Sequence, residues 1–167
     1  MITLIACVSK NLAIGKGNDL LFSFREDMEF FKTNTLHKPV IMGARTARSL
    51  PNSAPLKNRD NFVLCSEKDK NFFSDKGFAT VCGINSIPEA ITKVYSDNNF
   101  QELLVIGGGM IYKESISIAD RLLITVVDEV VENADTFFPI IDSEKWVLNW
   151  STSGKTEKLT FSEYLKK

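Results

Sequence analysis

The chain has one histidine, three cysteines and no concentration of charge of either sign, and each shortage removes a class of function. The lone His37 sits near a proline in a loop-like stretch, and neither it nor the cysteines fall at metal-ligand spacing, so no metal site is expected. A Ser/His/Asp system would have to use that one histidine, and no serine stands in a nucleophile elbow, which weakens hydrolase readings. Cys7, Cys65 and Cys82 are odd in number, lie inside apolar runs and form no CxxC pair. They read as buried, reduced thiols of a protein in a reducing cytoplasm. With 20 basic and 21 acidic residues the net charge is -1, and no block of roughly five or six like charges suggests a nucleic-acid arm or an acidic tail. No run approaches the roughly 18 consecutive apolar residues of a membrane helix. Leu4-Ile5-Ala6-Cys7 has the look of a lipoprotein cleavage site but lacks a basic segment and a full apolar segment before it. The expectation is a soluble protein whose partner is a small molecule, with no nucleic acid and no membrane.

What remains is ordinary globular material. The chain has 167 residues, 44% of them hydrophobic and 25% charged, enough for a real core in one domain spanning 1–167. Apolar runs suited to buried strands recur at Ile2 to Val8, Pro39 to Met42, Asn61 to Cys65, Phe78 to Val81 and Leu103 to Ile106. Helix-like stretches lie between most of them, at Ser23 to Thr35, Ala44 to Leu50, Ile87 to Tyr95 and Met110 to Ala119. After Asp120 the pattern turns to strands without helices, at Arg121 to Val131, Trp146 to Ser151 and Lys158 to Leu165. The fold class expected is α/β: a mostly parallel central sheet of about eight strands with helices on both faces and an antiparallel C-terminal edge.

Three local features could carry chemistry. Ser23-Phe24-Arg25-Glu26 has the form of a capping box, which starts a helix at Phe24. On that helix Phe24, Met28 and Phe31 form a core-facing stripe, and Asp27 lies within it. A carboxyl so placed is either a buried acid with a raised pKa, able to hold or relay a proton, or a solvated first-turn residue favoured by the helix dipole. In Leu103 to Tyr112 an apolar strand runs into Gly107-Gly108-Gly109 and then a helix, which makes either an anion site or a simple turn. The GxGxxG fingerprint fails there, because Tyr112 stands at the last glycine's place, and Gly15-Lys16-Gly17 fails too. Arg59, closing the polar stretch that begins at Pro51, is either a carboxylate fork or a surface arginine.

Taken in order, the segments resemble the dihydrofolate reductase family over nearly the whole chain. Met1 to Ala6, Ala13-Ile14-Gly15, Phe30-Phe31-Lys32 with Thr35, and Lys38 to Gly43 carry the likeness, as do Arg59, Val105 to Gly109 with Tyr112, and Asp135 to Pro139. The resemblance implies that Asp27 holds the pterin ring and supports protonation of N5, with Thr125 linked to it, while hydride passes from NADPH to C6 of dihydrofolate. Phe22 and Tyr112 join Asp27 as catalytic positions. Ile5, Met28, Phe31, Leu50 and Ile106 would wall the pterin and benzoyl pocket, and Arg59 would take the glutamate carboxylate. The cofactor would lie across Cys7, Ile14, Gly15, Leu20, Gly43, Ala44, Arg45, Thr46, Cys65 and Ser66, then Gly107, Gly108, Gly109, Met110, Ile111 and Tyr112. A cis Gly107-Gly108 peptide and a mobile Ser9 to Phe24 loop closing over the nicotinamide also follow from the resemblance; a monomer is expected, although the sequence itself does not fix the oligomeric state.

The chain departs from the family pattern at several points. Leu21-Phe22 replaces the usual Pro-Trp pair, removing an indole N–H, which implies slower proton delivery or another water path. Ala44 stands where a basic residue is common, with Arg45 next to it, Glu67 follows Ser66, and Met110 replaces another frequent basic residue. Together they weaken a phosphate pocket and imply NADPH with a reduced margin over NADH. Two alternatives stand beside this reading: a same-fold reductase of pterin or riboflavin pathways, and a non-catalytic folate- or nucleotide-binding protein.

Overall fold

A computed structural model of the chain describes residues 1–17, 19–156 and 158–167. The apolar N-terminal run forms β1 (Ile2–Ser9), which sits at the centre because it is bonded on both sides. β7 (Leu103–Val105) lies parallel on one side, with β4 (Val40–Gly43), β5 (Asn61–Leu64) and β6 (Ala79–Val81) following in parallel beyond it. On the other side come β8 (Arg121–Val127), β11 (Leu159–Lys166) and β10 (Trp146–Ser153), completing an eight-stranded sheet of order β10-β11-β8-β1-β7-β4-β5-β6. The antiparallel edge is narrower than the sequence suggested. β8 runs parallel to β1, and β11 alone is reversed, lying antiparallel to both of its neighbours, β8 and β10. A helix-bearing crossover leads from β7 into β8, whereas β8, β10 and β11 are joined without one, and parallel neighbours require the crossover.

The helices α1 (Arg25–Thr35), α2 (Ala44–Ser49), α4 (Ile87–Asp97) and α5 (Gly109–Ser115) lie where the patterning placed them. A fifth, α3 (Lys70–Lys76), was not anticipated. It is about two turns long, mostly polar, and held down by Phe73, which is fully buried and packs edge-on against Phe78 at 5.7 Å. Strand alternation divides the core in two. Leu4, Ile41, Leu103, Val105, Leu122 and Ile124 face α4 and α5, while Ile5, Val40, Met42, Val63, Leu104 and Leu123 face α1, α2 and α3.

Two local expectations are corrected. The capping box does not form: α1 starts at Arg25 with Phe24 as its N-cap, and no side chain caps it. Glu26 instead accepts the backbone N–H of Lys155 at 2.8 Å and of Thr156 at 3.1 Å, in the turn between β10 and β11. The turn offers the carboxylate two charge-assisted bonds where the helix start offers one. The Ser9 to Phe24 segment is not a plain loop either. β2 (Ala13–Lys16) and β3 (Asp19–Leu20) pair with β9 (Thr136–Phe137) in a second, three-stranded sheet, and Asp135 accepts the Gly17 N–H at 2.9 Å.

Candidate functional site

Register performs the first step of assembly. Cys7 of β1 and Thr125 of β8 are direct cross-strand partners, and α1 lays Asp27 beside both. Asp27 is half-buried. Burial pushes its carboxyl above the usual carboxylate range, and hydrogen bonding from the Thr125 hydroxyl and the Cys7 thiol pulls it partly back. Of the two readings the sequence left open, the structure selects the buried acid. Burial and the neighbouring Asp27 charge push the Cys7 thiol up, so it stays protonated and able to donate. Cys7, Phe22, Phe24 and Phe30 pack against the buried cluster of Val127, Leu159 and Phe161, with the Phe22 and Phe24 rings 6.1 Å apart.

The glycine run is fitted closely to its surroundings. The Gly107-Gly108 peptide is cis, as the resemblance implied, and Gly107 has φ +125°, where an L side chain is strained. The Gly43 N–H donates to the Gly107 carbonyl at 2.9 Å. Tyr112, 5% exposed, donates its hydroxyl to the Ile5 carbonyl at 2.7 Å and packs on Phe138, and burial pushes its phenol upward so that it remains neutral. A Cβ on Gly108 would lie 3.2 Å from Thr46 Oγ1, and one on Gly43 would lie 3.1 Å from Ile111. The Tyr112 N–H is bonded to the Gly108 carbonyl, which leaves the N–H groups of Gly109, Met110 and Ile111 without intrahelical acceptors. These features suit an anion with backbone at close approach, so the run is more than a turn.

Gly109 gives a direct test of this packing. A methyl there would run into Thr136 Cγ2 of β9, with Ile14 Cδ1 and the Phe137 carbonyl at 3.8 Å behind it. Gly109→Ala is expected to lower stability by about 1–3 kcal/mol in thermal or urea denaturation. Removing the obstructing methyl in the double variant with Thr136→Ser should recover most of the loss.

The apolar wall forms largely as expected: Ile5, Phe31, Leu50 and Ile106 belong to one cluster with Leu123. Met28 is the exception. It is 61% exposed, so the Phe24, Met28, Phe31 stripe is not a core face throughout, and Phe30 and Phe31 make the helix's inward contacts. Leu20 and Met110 are likewise exposed, whereas Ile14 and Ile111 are buried. Gly15 pairs with both Leu20 and Thr136 in the small sheet. The Arg59 guanidinium stands 6.0 Å from the Phe31 ring centre, and its Nε is buried with no hydrogen-bond partner among the described residues. A surface cavity of about 500 Å³ lined by Leu56, Arg59, Phe62 and Phe100 opens beside Arg59, and none of the residues grouped around Asp27 lines it.

At the far end, Arg45 is exposed and Ser66 donates its hydroxyl to Asp69 at 3.1 Å. Sequence reasoning missed two neighbours there. Arg48 is pinned by Asp69 at 2.9 Å and lies over the Phe73 ring, and Cys82 faces Cys65 with the sulfurs 3.3 Å apart. The spacing of Arg48 one turn after Arg45 was the only signal for the first, and for the second only strand pairing could have revealed it.

Comparison with known proteins gives one consistent result. The family model described as dihydrofolate reductase matches residues 1–166. Dihydrofolate reductases of Neisseria meningitidis serogroup B and Neisseria gonorrhoeae are each 38% identical over 99% of this chain and 98% of their own length. That of Haemophilus influenzae is 32% identical over 93% of this chain and 89% of its own. The structure of dihydrofolate reductase from Enterococcus faecalis, complexed with NADP(H) and RAB-propyl, is similar with a TM-score of 0.83 at 27% identity, covering 100% of this chain and 96% of that one. No helix among the described residues is long and apolar enough to cross a membrane. A buried acid between Cys7 and Thr125, a side-chain-free approach at Gly107 to Gly109 and a match along residues 1–166 agree, and the chain belongs to the dihydrofolate reductase family.

Proposed function

We propose that the chain reduces 7,8-dihydrofolate to 5,6,7,8-tetrahydrofolate with NADPH, as a single catalytic domain and a monomer, supplying one-carbon metabolism and thymidylate synthesis. The observation that carries this reading is the half-buried Asp27, its carboxyl raised by burial and met by Thr125 and Cys7. A carboxyl in that state holds a proton at higher pH than a solvated one. Its oxygens can accept from the 2-amino and ring N–H groups of a pterin, and the group can support protonation of N5. Thr125 and Cys7 orient it. The wall of Ile5, Phe31, Leu50 and Ile106 suits flat aromatic rings, and Arg59 offers its fork to the glutamate carboxylate.

The residues present fit a dinucleotide. Gly43 and Gly108 leave open the space that a Cβ would fill beside Ile111 and Thr46, and free amides open α5. Gly43, Thr46, Gly107 to Ile111, Ile14, Gly15 and Leu20 would hold it, with Arg45 and Ser66 at the phosphate end. NADPH, when bound, supplies the hydride for C6 of the pterin. Tyr112, through its bond to the Ile5 carbonyl, fixes β1 against the glycine run and so holds the floor of the site.

The assay is direct: purified protein, dihydrofolate and NADPH, followed by loss of nicotinamide absorbance. Turnover is expected, and its absence overturns the reading in favour of a binding protein. The phosphate end is thinly charged, because Arg48 is engaged by Asp69 and Glu67 is exposed close to Ser66. The kcat/KM with NADH is therefore expected within about tenfold of that with NADPH, a margin of about 1.4 kcal/mol. A strong NADPH preference would count against this account of the pocket.

A further inference from the structure

Two of the three cysteines lie side by side where the parallel strands end. β5 and β6 pair with Leu64 opposite Val81, so Cys65 and Cys82 follow as the next opposed residues. The ladder continues that far, because the Cys65 N–H bonds the Val81 carbonyl at 3.1 Å. Adjacent strands run about 4.8 Å apart, inside the range of about 4.4–6.8 Å in Cα separation that a disulfide bridges. The sulfurs are 3.3 Å apart. Cys65 is buried, while Cys82 is half-buried and its sulfur reaches the Ser66 carbonyl at 3.8 Å. The chemistry assigned to Asp27 uses neither thiol.

We propose that Cys65 and Cys82 form a reversible dithiol–disulfide site, oxidised by low-molecular-weight disulfides of the glutathione class, and that its closure weakens nucleotide binding at the adjoining Ser66. The Cys82 thiolate attacks one sulfur of the external disulfide, forming a mixed disulfide and releasing one external thiol. The Cys65 thiolate then attacks the Cys82 sulfur, forming the Cys65–Cys82 bond and expelling the second external thiol. Two protein thiols give up two electrons and two protons, and one external disulfide becomes two thiols. Cys82 goes first because it is the more accessible. Burial, together with Cys82, Asp69 and Glu67, pushes the Cys65 thiol up to about 12, so the closing step is slow at neutral pH and accelerates as pH rises. Closing the gap from 3.3 Å to about 2.05 Å draws the ends of β5 and β6 together and disturbs the Ser66 carbonyl that Cys82 touches. The effect on nucleotide rests on the cofactor site proposed above, whereas bond formation does not.

The test incubates the full chain with oxidised glutathione at mildly alkaline pH, counts free thiols after denaturation and maps peptides by mass spectrometry. Two thiols should disappear and a Cys65–Cys82 cross-link appear, both reversed by dithiothreitol. The NADPH dissociation constant of the cross-linked protein should rise about three- to tenfold, the loss of about one hydrogen bond. Cys82→Ser, which lies outside the proposed binding set, should match the reduced parent in NADPH affinity and ignore the oxidant. Three surviving thiols, a glutathione adduct without the cross-link, or a cross-linked protein with unchanged NADPH affinity each overturns the proposal. Failure of the reduced protein to bind NADPH overturns the cofactor reading and the claim on affinity with it, and the cross-link is judged on its mass alone.

Discussion

Asp27→Asn is expected to lower kcat/KM for dihydrofolate at pH 7 by about 10²- to 10⁴-fold while making the protein more stable at that pH. The two effects share one cause. Burial favours the neutral carboxyl, so the folded protein binds the Asp27 proton more tightly than the unfolded chain does. Stability is then undiminished at pH values below the carboxyl's ordinary range. It falls as pH rises through that range and on through the raised folded value, beyond which the full cost of the buried charge is present. Asparagine carries no charge to bury. Its thermal midpoint should exceed the parent's near neutrality, with the difference shrinking toward acid. In activity, the parent's kcat/KM should decline as pH rises through the folded pKa of Asp27, and the variant's remnant should lose that limb. Steady-state rates and thermal melts across one pH series read both, and an asparagine variant as active as the parent at pH 7 would remove Asp27 from the mechanism.

Arg59→Ala should raise KM for dihydrofolate about 10²- to 10³-fold, the cost of deleting one partner of a desolvated charge pair. The kcat should stay within a few-fold, because the group binds far from the reacting atoms. Arg59 already bears part of the desolvation cost: burial lowers its pKa, and its Nε has no partner among the described residues. Arg59→Lys should recover little, since a lysine keeps the charge but loses the planar fork and its seat over Phe31. A pterin substrate without the glutamate tail separates this from general damage to the pocket. Parent and variant should reduce it with nearly equal kcat/KM, and a variant impaired on the short substrate too would place Arg59 elsewhere.

The sequence was most legible where one strand or helix decides its own fate. The runs at Ile2, Pro39, Asn61, Phe78 and Leu103 are apolar enough to be buried on both faces, and each became a parallel strand. It was least legible where the deciding partner lies far along the chain. β2 is a strand because Thr136–Phe137 returns to pair with it, and Glu26 leaves its own helix start because Lys155 and Thr156 offer better donors. Asp27 shows the same division at the site. Its oddity within an apolar stripe was visible, but periodicity placed Met28 inward, and only the packed helix shows it outward. Cys65 and Cys82 looked like two separate thiols until strand register set them face to face.

The bond from Glu26 to the β10–β11 turn reaches further than stability. Glu26 immediately precedes Asp27, so the helix end that carries the acid is anchored across more than a hundred residues of chain. Hairpin tips are ordinarily where insertions and drift in length are best tolerated. Here the tip at Gly154 to Thr156 is built to one length: a side chain at Gly154 would collide with the Glu26 carboxylate, and a shifted Lys155 would release it. This surface turn thus acts as a gauge block for the helix end that carries Asp27, and its sequence is free to change only in ways that keep its dimensions.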